Sequence, residues 1–126
     1  MKQLHKLGFL AVLFCAVACS NKAPKLSPLG NRTVTVNQTV EFDVIASDPD
    51  GDDLEFRVVG RPRTATFDVL GRSAKFSWTP LITDARPEPY QISFYIGDKN
   101  GGTDSQTISI TVVESSVPGE GTPAFL

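Results

Sequence analysis

Two short segments concentrate the acid in this chain. Asp48-Pro49-Asp50-Gly51-Asp52-Asp53 carries four aspartates, and Asp98-Lys99-Asn100-Gly101-Gly102-Thr103-Asp104 adds two more with Asn100 between them. Carboxylates this close repel one another unless neutralised, and a hard cation taking about six to eight oxygen ligands is the common solution. Paired carboxylates also act as acid and base in glycoside hydrolysis, but no nucleophile or His accompanies these, which excludes most enzyme chemistry. An EF-hand is excluded as well. Asp48, Asp50 and Asp52 have its opening spacing, but Asp53 stands where that loop needs Gly and Val59 where it needs Glu. The plainer role for both segments is turn formation, since Asp and Asn bond their own backbone and Gly accepts positive φ.

The elements that must position these loops are strands. With 126 residues the chain has room for one small domain, and its net charge of −2 argues against a nucleic-acid partner. Apolar residues alternate with polar ones at Val34 and Val36, then at Val40, Phe42, Val44 and Ala46, and then at Leu54, Phe56 and Val58. The same period continues at Phe67 and Val69, at Ala74, Phe76 and Trp78, at Tyr90, Ile92, Phe94 and Ile96, and at Ile108, Ile110 and Val112. A period of two buries one face of each strand, and seven short strands with frequent turn signals predict an all-β, seven-stranded Greek-key sandwich over 31–114. Adjacent strands run in opposite directions, so the turns after the second, fourth and sixth emerge at one pole. That brings the two acidic segments together with the turn at Gly71. Trp78 and Tyr90 are assigned to the core, and Tyr95, Ile45 and Val59 are expected to point outward.

Ahead of the domain lies a targeting segment. Lys2 and Lys6 precede an apolar run, Leu7 to Ala18, broken only by Gly8, which is the pattern of a secretory signal peptide over 1–18. The run is too short for the roughly 20 residues a membrane-spanning helix needs. Ala16-Val17-Ala18-Cys19 resembles the bacterial lipobox, which implies cleavage before Cys19 and acylation of that residue, anchoring the chain to the lipid bilayer. Ala16 stands where the lipobox prefers Leu, so ordinary cleavage after Ala18 stays open. Ser20 follows Cys19 where an Asp often marks inner-membrane retention, which favours the outer membrane. Loss of the signal removes Lys2, Lys6, His5 and Cys15 and takes the formal charge from −2 to −4. With Cys19 acylated, no thiol or disulfide remains and the fold must hold by packing alone. Residues 19–30, with Pro24 and Pro28 and no apolar period, are expected to be a tether spanning at most about 35 to 40 Å. Residues 115–126 are expected to be a flexible tail.

The motif order carries a family resemblance. Asp48-Pro49-Asp50-Gly51-Asp52, Leu54 and Phe56, Ala65-Thr66-Phe67-Asp68, Gly71, Phe76-Ser77-Trp78-Thr79-Pro80, Asp84, Tyr90, Asp98 and Gly101-Gly102-Thr103-Asp104 follow a known module. It resembles the bacterial cadherin-like immunoglobulin module of the dystroglycan type, over Asn31 to Val113. The resemblance implies a calcium site at Asp48, Asp50 and Asp98. Cadherin sites are completed by acids of the preceding segment, and none lies in Lys25 to Asn31, so only weak extracellular-type affinity is expected, on the order of 10⁻⁴ to 10⁻³ M. The function so implied is a membrane-anchored cell-envelope binding or adhesion module meeting a protein or glycan. The alternative is a structural spacer without calcium dependence.

Overall fold

The computed structural model describes residues 20–116; the signal segment, Cys19 and the end of the expected tail lie outside them. The described residues form two four-stranded sheets. Strands β1 (Lys25–Leu26), β3 (Val40–Ser47), β6 (Ser73–Trp78) and β5 (Thr66–Leu70) make the first, in the order β1-β3-β6-β5. Strands β2 (Arg32–Thr35), β8 (Thr103–Val113), β7 (Tyr90–Gly97) and β4 (Glu55–Val59) make the second, in the order β2-β8-β7-β4. All pairs are antiparallel except β2 with β8. This is the immunoglobulin-like sandwich expected from the strand pattern.

Alternation places the core between the sheets. Phe76 pairs across the first sheet with Phe42 on one side and Phe67 on the other, and Phe94 of the facing sheet meets all three, with ring centroids 5.7 to 5.9 Å apart. Phe42 and Phe76 stack at 5.0 Å. Ile92, Ile108, Ile110, Val44 and Val112 are buried around them, each contributing about 1.5 to 3 kcal/mol of burial. Trp78 packs edge-on against Tyr90 at 5.0 Å, and each finds a polar partner: the Trp78 indole donates to Thr64 Oγ1 at 3.1 Å and the Tyr90 hydroxyl to the Asp84 carbonyl at 2.8 Å. Trp78 belongs to the core as expected, and Tyr90, half-buried, packs against its edge.

The segment expected to be a tether folds instead. Lys25 and Leu26 pair with Ser47 and Ala46 as an edge strand, Leu26 and Pro24 are buried, and Ser27 N donates to Ile45 O at 2.9 Å. Past Pro28 the chain crosses to the other sheet and becomes β2. The partners that hold it come from β8. Asp104 and Gln106 lie in phase with inward-facing Ile108, Ile110 and Val112, and they accept Leu26 N at 2.8 Å and Leu29 N at 2.9 Å. The Gln106 amide also donates to the Leu26 and Ser27 carbonyls at 3.3 and 3.1 Å. Two polar side chains at inward positions thus satisfy backbone groups of a segment too short in strand to satisfy its own.

Candidate functional site

The acidic pole is where β3, β5 and β7 end and β1, β4, β6 and β8 begin, so three connections meet there. The β5–β6 turn is the two-residue link Gly71-Arg72, with Gly71 at φ 66°, a conformation that suits glycine. It joins the β3–β4 loop, because the Arg72 guanidinium donates to Gly51 O at 2.8 Å. The β7–β8 loop joins the same loop through the Asn100 amide, which donates to Asp52 Oδ2 at 3.1 Å. The expected convergence of both acidic segments and the Gly71 turn is therefore present.

The two loops use their carboxylates differently. Asp98 is 1% exposed, and its oxygens are taken up by the protein: Oδ1 accepts Asn100 N at 2.8 Å and Gly102 N at 2.9 Å, and Oδ2 accepts the Asn21 amide at 2.8 Å. The Asn21 amide is the largest influence on its carboxyl and holds it below the usual 3.8; burial opposes this, and the Asn100 and Gly102 amides add to the lowering. Gly102 packs tightly here, since a Cβ on it would meet Asp98 Oδ2 at 2.5 Å and Ala23 Cα at 2.8 Å.

Asp48, Asp50 and Asp52 form a separate group whose carboxylate oxygens lie within 4.8 Å of one another. Asp48 Oδ1 accepts Asp50 N at 2.7 Å and, at a long 3.4 Å, Asp52 N. Its Oδ2 is buried without a hydrogen-bond partner, which leaves an uncompensated polar atom where three like charges converge. An oxygen-only donor set with one orphaned oxygen fits a hard cation, so this aspartate triad can hold a metal ion. Of the expected ligands, Asp48 and Asp50 come together here, Asp98 is not in the group, and Asp52 takes its place. Asp50 is also shared: its Oδ2 accepts Lys22 N at 2.7 Å, so the entering chain is tied to both acidic loops.

The outward-facing candidates divide between two surfaces. Tyr95 is 38% and Val59 52% exposed on the second sheet, whereas Ile45, at 50%, lies on the outer face of the first, across Ser73 from Leu70. They do not form one patch. Three arginines, on β4 and in the β4–β5 and β5–β6 connections, also take separate places. Arg57 stacks on Tyr95 at 5.2 Å, Arg61 donates to the Ala65 carbonyl, and Arg72 holds Gly51.

Fold and site together define an immunoglobulin-like module with an acidic pole, a class of domain that is typically non-catalytic. Residues 21–111 match the Bacterial Ig domain family, and the chain belongs to it. No curated protein sequence matches. Among solved structures the chain is similar to part of the endo-fucoidan hydrolase MfFcnA4 from glycoside hydrolase family 107, at 23% identity and a TM-score of 0.61, over 78% of this chain and only 14% of the hydrolase. It is also similar to the titin I-band fragment I67–I69, at 12% identity and a TM-score of 0.59 over 75% of this chain and 34% of that one. The SrpA adhesin of Streptococcus sanguinis matches at 10% identity and a TM-score of 0.57, over 75% and 57% of the two chains. These likenesses establish the fold.

Proposed function

We propose that the chain is an exported, lipid-anchored cell-envelope protein, acylated at Cys19 and held in the outer membrane, whose immunoglobulin-like domain is a non-catalytic binding or adhesion module. The observation that carries this is the apolar run Leu7 to Ala18 ending at Cys19, placed directly ahead of a sandwich whose internal bonding begins at Asn21. On this reading only Ser20 separates the acylated residue from the clamped chain. The acidic pole then faces the bilayer, while the β4–β5 and β6–β7 loops and the end of β8 face away from it. A partner, protein or glycan, would meet the domain on its sides or at that far pole. The same fold occurs within an endo-fucoidan hydrolase and an adhesin, so hosts of quite different activity carry it. Replacing Cys19 with Ala should move the protein from the membrane to the soluble fraction. Continued sedimentation of that variant with membranes would sink the anchor.

Calcium is the cation proposed for the aspartate triad, since it suits a flexible, oxygen-only set with weak affinity. Bound there, it would neutralise the convergent charge of Asp48, Asp50 and Asp52 and stiffen the β3–β4 loop. A second reading, the calcium-independent spacer, is favoured by the internal use of Asp98. A thermal melt separates the two. Calcium at about ten times its Kd should add roughly 1.4 kcal/mol, several degrees for a domain of this size, with EDTA reversing the gain. A melt unmoved by several millimolar calcium would make the triad's aspartates turn residues and leave a calcium-independent immunoglobulin-like lipoprotein.

A further inference from the structure

The outer face of the second sheet carries a groove of about 460 Å³ lined by Glu55, Arg57, Tyr95, Gly97 and Thr103. Register sets two rows across it, Glu55–Gly97–Thr103 and Arg57–Tyr95–Ser105, about 7 Å apart along the strands. The β7 backbone is paired on both sides by β4 and β8, so whatever sits on this face is held by side chains.

Gly97 opens the depression, and the fold does not require glycine there. Its φ lies outside the left-handed region, and an added Cβ would meet Gly102 O at 3.8 Å and Thr103 Cγ2 at 3.9 Å, ordinary contacts. Gly97 is the last residue of β7, and without a side chain it leaves the strand's backbone open to close approach on this face. Arg57 is the second feature. Its guanidinium lies 5.2 Å over the Tyr95 ring, and no carboxylate lies within 4.0 Å of it among the described residues, where the one ion pair is Lys75 with Glu41. Glu55 lies one row away on the same face and the chain as a whole is negative, so an anion is favoured only at the Arg57–Tyr95 end of the groove, away from Glu55.

We propose that the groove binds an acidic saccharide, a pyranose bearing a carboxylate or a sulfate ester. The anionic group pairs with Arg57, the ring packs against Tyr95 and its hydroxyls bond to Glu55 and Thr103 across the space Gly97 leaves. This deepens the binding-module reading, on which it rests, by naming a surface and a ligand class.

The test is calorimetric titration of the exported chain with oligogalacturonate, dextran sulfate and neutral maltohexaose. One of the two anionic probes should bind at least about tenfold more tightly than the neutral one, and which of them does so distinguishes carboxylate from sulfate. Arg57→Gln should erase that preference, and Tyr95→Ala should weaken binding about tenfold. Gly97→Val should abolish binding while the melting temperature holds or rises, because it fills the groove with a good strand former. Unchanged binding by Gly97→Val, equal binding of neutral and acidic probes, or no binding of either anionic probe by the folded chain each overturns the groove. In the last case, a peptide that pairs with the β4 edge would leave the broader binding-module reading standing.

Discussion

The two acidic loops share a pole, a residue type and a turn-like sequence, yet they spend their charge in opposite ways. In the β7–β8 loop, Asp98 is buried and accepts three hydrogen bonds, one of them from Asn21 at the far end of the chain. In the β3–β4 loop, Asp48 is only half-buried, crowds Asp50 and Asp52, and has one oxygen with no partner. The number of donors each carboxylate receives separates a structural acid from an available one. A buried carboxylate supplied with donors holds chain segments together, whereas one short of donors is stabilised by whatever cation arrives.

The largest expected effect follows from removing each acid in turn. Asp98→Ala strands the Asn100 and Gly102 amides and removes the shorter of the two bonds made by the Asn21 amide at the pole. Orphaned donors are costly, so the melting temperature should fall by roughly 10 °C, and Lys22 to Leu29 should gain amide exchange. Asp48→Ala loses one short bond to Asp50 N but also relieves repulsion, and its melting temperature should fall by no more than a few degrees. Equal losses in the two variants would break the distinction between the loops.

Acid sharpens the same contrast. Because the folded-state carboxyl of Asp98 sits below the usual 3.8, its contribution is full above that value and is lost as pH falls through the lower folded value. Stability measured by denaturant titration at descending pH should therefore drop below about pH 4. Asp98→Asn, neutral at every pH, should be less stable than the wild type near neutrality and should show a flatter acid limb. A limb of unchanged slope in that variant would assign the acid sensitivity to other carboxylates.

How far the sequence could be read follows the same physics. The seven longer strands were legible because a two-residue period is local, and the meeting of the loops was legible because strand direction alternates. Which acid would be consumed was not. Asp98 and Asn21 are 77 residues apart, and nothing local to either predicts the bond. The entering segment reads as a tether for a related reason: a stretch with Pro24, Pro28 and a single inward Leu26 shows no period, because its backbone is satisfied largely by β8 side chains and not by a long ladder. One signal was present. Asp104 and Gln106 fall in the inward phase of Ile108, Ile110 and Val112, and polar residues at inward positions announce that something polar must cover them.

The smallest effect is also the one that tests the triad most directly. Asp48→Asn keeps the oxygen that accepts Asp50 N, replaces the orphaned Oδ2 with an amide that can donate to the neighbouring carboxylates of Asp50 or Asp52, and removes one of three like charges. In EDTA this variant should therefore be as stable as the wild type or more stable, by up to about 0.5 to 1 kcal/mol, the reverse in sign of Asp98→Asn. In calcium the order should invert, because the wild type gains and the variant, short of one anionic ligand, does not. Paired melts in EDTA and in calcium read both signs at once. A variant less stable than the wild type in EDTA would mean that the Asp48 charge is already compensated within the fold, and the triad would then be a turn and not a cation site.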